Sequence, residues 1–231
     1  GMGPTRGTYV RYNHEAMVGI LVLEAQRAGA VVVGEDLGVV EPWVRVYLRD
    51  RGILGTSIAW FERDGSGQIL PPESWREYCM ASVTTHDMPP TAGYLALDHV
   101  RLQHRLGLLT ESIEEECALA QRTFATWRHA LIERGFLAPE DADNIDEEVL
   151  AMHRWIVASP ARVLNAALTD AVGDHRTQNQ PGTVDEYPNW RVPLSGPDGR
   201  PITLEEVFAS PRAARLAAVM NGFGIESVGR R

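Results

Sequence analysis

The stretch VVVGEDLG at residues 31–38 decides the fold class, because an apolar, β-branched run passes directly into two carboxylates and a turn. Residues 30–33 have the composition of a short buried strand that ends at Gly34. Adjacent side chains of an extended segment point to opposite faces. One of Glu35 and Asp36 can therefore face a pocket while the other is tied into a turn or to an arginine. A turn whose aspartate caps the next helix accounts for the same residues, and this alternative stays open.

Helices are predicted on both sides of this stretch. Residues 13–28 carry apolar side chains at helical spacing, with Asn13 as a cap and Gly29 as a stop. After the turn, Pro42 is suited to the start of a second helix that runs to about Asp50. The chain around residues 31–38 therefore has a helix–strand–helix pattern.

The rest of the chain continues this alternation, which indicates an α/β fold with a parallel sheet. About four strands are predicted, which is half the number in an eight-stranded barrel. The predicted strands are 30–33, 53–61, 79–84 and 162–168. The further predicted helices lie within 98–135, 145–158 and 203–221, and residues 174–200 are rich in Pro, Gly, Asn and Asp and are predicted to be a loop.

Composition excludes several classes of protein. Hydrophobic residues make up 44% and charged residues 23% of the 231, as in ordinary globular domains. The net charge of −9 disfavours a nucleic-acid partner, and no apolar run is long enough for a membrane span. We expect a cytoplasmic protein with reduced Cys79 and Cys117, because no secretory segment and no disulfide pattern is present. Nucleotide, serine-hydrolase and HExxH motifs are also missing, so no cofactor and no metal is predicted.

Polar clusters follow the predicted strands, where α/β proteins place their sites. His86 and Asp87 follow the third strand and offer a hydrogen-bond donor beside an acid. An Asx-type turn before Pro89, with the histidine satisfied by backbone, is the alternative for these residues. After the fourth strand, a polar cluster begins with Asp170 to Asp174, and its continuation from Gln178 to Arg191 combines amides, a rigid Pro-Gly turn and aromatics. These groups suit sugar hydroxyls and ring faces, and they equally suit an ordered surface loop.

Three segments together resemble the 4-α-glucanotransferases of glycoside hydrolase family 77, the amylomaltase and disproportionating enzymes. VVVGEDLG (31–38), preceded by TYVRYNHEAMVGILVLEAQRAGA (8–30), resembles the region around the family's acid/base glutamate. VTTHDMPPTAGY (83–94) is similar to the segment that carries a second conserved aspartate. QNQPGTVDEYPNWRVPL (178–194) resembles the family signature after the last barrel strand. The three segments occur in the family's order.

The resemblance implies a (β/α)8 barrel and retaining transfer of α-1,4-glucan segments between maltooligosaccharides. It implies that Glu35 is the acid/base group and that Asp87 is a further catalytic carboxylate that grips sugar hydroxyls. The residues expected to bind substrate are His86, Asp36, Asn179, Pro181, Gly182 and Trp190. Retention requires a nucleophilic carboxylate and an acid/base about 5–5.5 Å apart, and the acid must be protonated near neutral pH.

One departure from the family changes the expectation. The family's nucleophilic aspartate lies in an Arg-x-Asp-His-like segment upstream of the acid/base, and residues 1–34 contain no match, since Asn13-His14 and Glu15 match the helix after that segment. We therefore expect residues 1–231 to be the C-terminal half of the barrel, strands five to eight, with a mostly helical insertion at about 98–158 and a substrate loop at about 174–200.

This half barrel is predicted to be inactive alone and to self-associate through its open sheet edges. Two other functions remain open for the sequence. The chain could be a non-catalytic glucan-binding or interaction module that uses Tyr187, Trp190 and the Asn179 loop, or an amylase-like α-glucan hydrolase on the same barrel.

Overall fold

The computed structural model describes residues 6–8 and 10–222. They divide into two compact units, of which the first ends at Thr56 and the second begins at Ser57. The helices and strands below are numbered in chain order.

The first unit opens with helix α1 (His14–Ala28), which confirms the prediction for residues 13–28. The side chain of Asn13 accepts a hydrogen bond from the backbone nitrogen of Ala16 and caps the first turn. Gly29 ends the helix in the left-handed conformation, at φ 61°, which glycine adopts without steric cost. Helix α2 (Pro42–Arg49) begins at the predicted proline.

The predicted strand at residues 30–33 is wrong as an extended element, because within these four described residues only Val33 forms a bridge, in parallel with Leu54. Its hydrogen bonds are Leu54 N to Val32 O at 3.0 Å and Gly34 N to Leu54 O at 2.7 Å. The next backbone donor of the paired segment is the nitrogen of Thr56, which bonds instead to the carboxylate of Asp36 at 2.9 Å. A side chain takes the position of the next ladder acceptor, so the pairing stops there.

A small three-stranded sheet has the strand order β1-β2-β3. Strands β1 (Gly55–Ile58), β2 (Cys79–Ser82) and β3 (Val163–Asn165) lie within the predicted ranges but are shorter. The first strand ends early because residues 59–61 turn into a single 3₁₀ turn. Strands β2 and β3 pair in parallel, with Met80 opposite Val163 and Ser82 opposite Asn165. The α/β class predicted from the alternation is confirmed.

Helices fill the connection between the two parallel strands. The helix at residue 113 begins at Ser112, whose side chain and that of Glu115 form a reciprocal capping box. The helices between the strands are α3 (Thr91–Leu95), α4 (Asp98–Arg105), α5 (Ile113–Glu133) and α6 (Ile145–Val157). After β3 come α7 (Leu168–Val172), α8 (Leu204–Ala209) and α9 (Pro211–Met220). The predicted helical ranges are therefore confirmed, and residues 174–200 contain neither helix nor extended strand.

Aromatic rings form the centre of the second unit. Trp127 of α5 is 1% exposed and lies edge-on to Trp60 and to Trp155, with ring centroids 5.6 and 5.2 Å apart. Edge-to-face packing of this kind matches the electron-rich ring face with the electropositive edge. This core fixes α5 and α6 beside the sheet, whose parallel strands both end toward the polar segments. None of the helices in residues 6–8 and 10–222 is long and apolar enough to cross a membrane.

Candidate functional site

The chain turns tightly after β2 and exposes His86 and Asp87. The turn is closed by the hydroxyl of Thr84, which donates to the carbonyl of Pro89 at 3.0 Å. Within it, the backbone nitrogen of Asp87 donates to the hydroxyl of Thr85 at 3.3 Å. Backbone contacts within the turn therefore involve threonine hydroxyls, and the side chains of both His86 and Asp87 are more than half exposed.

The segment after α7 is closed at its base by the carboxylate of Asp174, which is fully buried. Oδ1 accepts hydrogen bonds from the backbone nitrogen and Nε of Arg176, at 2.9 and 3.1 Å. Oδ2 accepts from Nη2 of Arg176 at 3.0 Å and from the backbone nitrogen of Ser195 at 2.9 Å. One side chain thus joins two points that are 21 residues apart. The paired carboxylate raises the pKa of Arg176.

Side-chain hydrogen bonds give the tip of this loop a defined shape. Asn189 accepts from the backbone nitrogen of Gln180 at 2.8 Å and donates to the hydroxyl of Thr183 at 2.8 Å. Between them Pro181 and Gly182 form the predicted turn, with Gly182 at φ 87°, a conformation that favours glycine. Pro181 and Gly182 are both exposed.

Trp190 adopts a backbone conformation that is rare for a large side chain, with φ 62°. Its backbone nitrogen donates to the carbonyl of Gln178 at 2.9 Å, and its side chain is 62% exposed. A left-handed conformation outside glycine costs about 1–3 kcal/mol and occurs preferentially at functional sites. The loop therefore holds an exposed indole in place at the expense of local strain.

Four predicted residues meet on the surface of the second unit, and we call His86, Asp87, Asn179 and Trp190 the surface cluster. Nδ2 of Asn179 donates to Oδ1 of Asp87 at 2.5 Å, across 92 residues of sequence. The rings of His86 and Trp190 have centroids 5.4 Å apart and are tilted by 45°. Nε2 of His86 lies 3.5 Å from the same carboxylate oxygen of Asp87.

The surface cluster has the chemistry that a sugar requires. An exposed indole face packs against the C–H face of a pyranose, while a carboxylate and an amide side by side can accept from and donate to neighbouring hydroxyls. In the part of the chain that the structure describes, no group of three or more His, Cys, Asp or Glu residues is arranged to hold a metal ion. The indole, carboxylate and amide of the cluster are the groups that suit a polyhydroxylated ligand.

Glu35 and Asp36 of the first unit point in different directions, as expected for adjacent residues of an extended segment. Asp36 is 2% exposed, bonds to Thr56 N and lies 3.4 Å from Nε of Arg45. Glu35 is exposed, and its Oε1 accepts from the backbone nitrogen of Leu37 at 2.5 Å. Asp36 is therefore the carboxylate tied into the turn and to an arginine, and its assignment to substrate stays a prediction.

The sequence places the residues that support the surface cluster in a polar cluster but does not reveal their supporting role. Asp174 and Asn189 lie inside segments that the sequence marks as polar, but only the folded chain reveals that they close the loop. Buried Asp170 is a third such residue, since its carboxylate accepts from the backbone nitrogen and hydroxyl of Thr91 at 2.7 and 2.5 Å. Burial raises the pKa of Asp170, while the facing His153 lowers it. In the sequence, Asp170 and Asp174 are visible only as the first part of the polar cluster that continues to Arg191.

A histidine contact also supports the start of the loop. Nδ1 of His175 lies 2.8 Å from Oδ2 of Asp98, at the first turn of α4. The next residue, His99, packs on Tyr94 with ring centroids 4.3 Å apart. Burial lowers the pKa of His99 to about 4, and the Gly93 backbone and the Asp98 charge only partly oppose that effect.

Comparisons with known proteins agree on one family. A family model described as 4-alpha-glucanotransferase matches residues 2–198. A 4-alpha-glucanotransferase of Mycobacterium tuberculosis is 62% identical over 221 residues, which are 94% of this chain and 30% of that enzyme. A 4-alpha-glucanotransferase of Haemophilus influenzae is 24% identical over 83% of this chain and 28% of its own length. The chain therefore spans about a third of the curated relatives it matches.

Solved structures give the same result. The crystal structure of amylomaltase from Corynebacterium glutamicum matches 93% of this chain and 32% of its own, with a TM-score of 0.86 and 39% identity. Amylomaltase from Streptococcus agalactiae, solved in complex with acarbose, matches 86% of this chain and 33% of its own at a TM-score of 0.54 and 17% identity. The second likeness concerns the fold alone.

We predict that His99 makes the chain less stable in acid. Its pKa in the folded chain is about 4, below the ordinary value of about 6.5 in an unfolded chain, so the folded chain binds fewer protons in between. The contribution is fully present above pH 6.5 and is lost as the pH falls toward 4. Urea midpoints at pH 7, 6, 5 and 4.5 should fall less steeply for His99→Phe, which keeps the ring, than for the wild-type chain.

The control for this pH series is His129→Phe, because His129 is exposed beside Glu133 on α5. Its urea midpoints should decline with pH as those of the wild-type chain do. Parallel curves for His99→Phe and the wild-type chain would show that His99 does not cause the acid sensitivity.

Proposed function

The chain belongs to glycoside hydrolase family 77, the 4-alpha-glucanotransferases, and from this premise we propose that it is the part of such an enzyme that binds an α-1,4-glucan and supplies the acid/base group. The observation that carries the proposal is the surface cluster, in which Asn179 bonds to Asp87 beside the His86–Trp190 ring pair. All four residues lie within the matched range. Each also belongs to a segment that resembles the family in sequence.

In the proposed reaction, Glu35 donates its proton to the oxygen of the α-1,4 bond that breaks. The leaving glucan departs as the nucleophile of the complete enzyme forms a covalent bond to the anomeric carbon of the remaining glycosyl unit. Glu35, now a carboxylate, then removes a proton from the 4-hydroxyl of the acceptor glucan, whose oxygen displaces the nucleophile from that carbon. The two displacements together retain the configuration. Asp87 holds sugar hydroxyls as the ring distorts, and His86 and Asn179 donate hydrogen bonds to the same glucan.

We place the described strands in the second half of a (β/α)8 barrel. The segment at residues 30–33, which pairs only through the Val33–Leu54 bridge, would occupy the position of strand five, and β3 would be strand eight. The helical segment at about 98–158 would be an insertion and residues 174–200 the substrate loop. Support comes from the parallel pairing of β2 with β3 and from the polar segments that follow each of them. A cytoplasmic location stays a prediction, supported by the free thiols of Cys79 and Cys117.

We propose that the isolated chain self-associates. Helix α1 contains no buried residue, and four of its apolar side chains are exposed: Met17, Ile20, Leu21 and Leu23. Several exposed apolar side chains on one helix are typical of an interface. We propose a second copy of the chain as its occupant, because a symmetric contact satisfies both copies with the same surface.

We expect the 231-residue chain alone to show no maltotriose disproportionation. Retaining transfer needs a nucleophile, and no residue upstream of Glu35 matches the family's nucleophilic aspartate. The measurement is glucose release from maltotriose, with product lengths resolved by chromatography. Glucose release by the wild-type chain that disappears in Glu35→Gln would overturn this expectation, and glucose release without transfer products would indicate a hydrolase.

We expect the chain to bind maltoheptaose through the surface cluster. Trp190→Ala removes the exposed indole face and should weaken the affinity at least about tenfold, or ~1.4 kcal/mol, in isothermal titration calorimetry. Trp43→Ala is the matched control, since it removes a half-exposed indole from the first unit. Equal losses in both variants, or no heat of binding for the wild-type chain, would contradict a glucan site at the cluster.

The chain should sediment as a dimer or larger species at micromolar concentration. Ile20→Glu places a charge in the apolar surface of α1 and should shift the sedimentation coefficient to the monomer value. Phe208→Glu, which changes an exposed aromatic residue of α8, should leave the association intact. A monodisperse wild-type monomer would rule the association out.

A further inference from the structure

Two buried carboxylates on one short segment each bond to a different loop of the surface cluster. Asp170 lies on α7 and is 2% exposed, and Asp174 follows immediately after Gly173, the residue that ends α7. Because the two aspartates are four residues apart on one short segment, their carboxylates are held at a fixed relative position. The two loops that they hold are therefore fixed relative to the same short segment.

Asp170 anchors the loop that carries His86 and Asp87. Both of its oxygens accept from Thr91, one from the backbone nitrogen and the other from the hydroxyl. Thr91 is the first residue of α3 and follows the turn that the hydroxyl of Thr84 closes. The end of the His86–Asp87 turn is thus bound directly to α7.

Asp174 anchors the loop that carries Asn179 and Trp190. Its four hydrogen bonds come from Arg176 at the start of the loop and from the backbone of Ser195 at its end. All four donors are oriented toward one buried carboxylate, so the loop can close in only a narrow range of geometries.

The two anchored loops also approach each other as backbone. A Cβ atom added at Gly93 of α3 would lie 2.2 Å from the carbonyl oxygen of His175. Only glycine therefore allows α3 to lie this close to the start of the Asp174 loop. This approach, together with the two carboxylates, joins both loops to the same few residues of the chain.

We propose that Asp170 and Asp174 are positioning residues that set the distance between Asp87 and Asn179, and so the shape of the glucan surface, without contacting the sugar themselves. This inference rests on the proposed function of the surface cluster. A buried carboxylate lowers the stability of a fold and is often replaceable by apolar residues. Its hydrogen bonds, however, have preferred directions, so they specify the position of the groups that they hold.

Glu148 provides a control for effects on stability alone. It is 1% exposed, like the anchors, and its carboxylate accepts from Nε of Arg128 at 2.9 Å, which joins α6 to α5. Glu148→Gln therefore disturbs a buried carboxylate of the same unit at a different contact. If buried carboxylates act only through stability, this variant and Asp174→Asn should have the same effects on the cluster.

The test uses 5-fluorotryptophan in the full chain and 19F NMR of Trp190, with its signal assigned by Trp190→Phe. His86→Ala defines the shift of Trp190 when its ring neighbour is absent. We expect Asp174→Asn and Thr91→Val to move the Trp190 signal toward that position, and Thr91→Ser, which keeps the hydroxyl, to restore it. Glu148→Gln should leave the signal in place, with circular dichroism used to confirm that every variant is folded.

Maltoheptaose affinity is the second measurement. Asp174→Asn and Thr91→Val should each weaken it about tenfold, while Glu148→Gln keeps the wild-type affinity even where its urea midpoint falls as far. An unmoved Trp190 signal in both anchor variants, or an equal movement in Glu148→Gln, would overturn the inference. If the wild-type chain binds no maltoheptaose, the proposed function fails, and the Trp190 signal alone decides whether the anchors position the cluster.

Discussion

The fully buried carboxylate of Asp174 is the interaction on which the candidate site depends. Residues 174–200 form no helix and no extended strand, so their shape cannot come from a backbone ladder. A buried charge is tolerated only when nearly all of its lone pairs are satisfied, and here four donors from Arg176 and Ser195 meet that requirement. The same four bonds close the loop. A single carboxylate therefore closes the loop that carries the exposed Trp190.

A buried carboxylate also fixes a short stretch of backbone in the first unit. There the carboxylate of Asp36 accepts the hydrogen bond of Thr56 N that a strand carbonyl would otherwise take, and Arg45 lies beside it. The apolar run at 30–33 ends as a single bridge for that reason. Because Asp36 is held inward, the side chain of its neighbour Glu35 is directed outward. In both units a buried aspartate fixes the backbone and an adjacent segment carries the exposed polar groups.

Local signals made the helices predictable, whereas the site depended on contacts between distant residues. Asn13 and Gly29 cap the two ends of α1, as capping rules require. The resemblance of three segments to the family is confirmed by the family match. The bond between Asn179 and Asp87 joins residues 92 positions apart, and no sequence period encodes it. The strand at 30–33 was wrongly extended because its apolar composition does not show that a side chain replaces the next ladder acceptor. Burial of Asp174 likewise follows from tertiary packing, since an Asp in a polar segment is ordinarily exposed.

The exposure of Glu35 bears directly on its proposed role. An acid/base carboxyl has to be protonated near neutral pH, and removal from water is the usual way to achieve this. Glu35 is exposed, and its Oε1 accepts a hydrogen bond from the backbone nitrogen of Leu37. The required desolvation must then come from a bound glucan or from polypeptide of the kind that makes up the other two thirds of the longer relatives. The binding proposed for the surface cluster requires neither, so the two proposed roles, glucan binding and acid catalysis, can be tested separately in this chain.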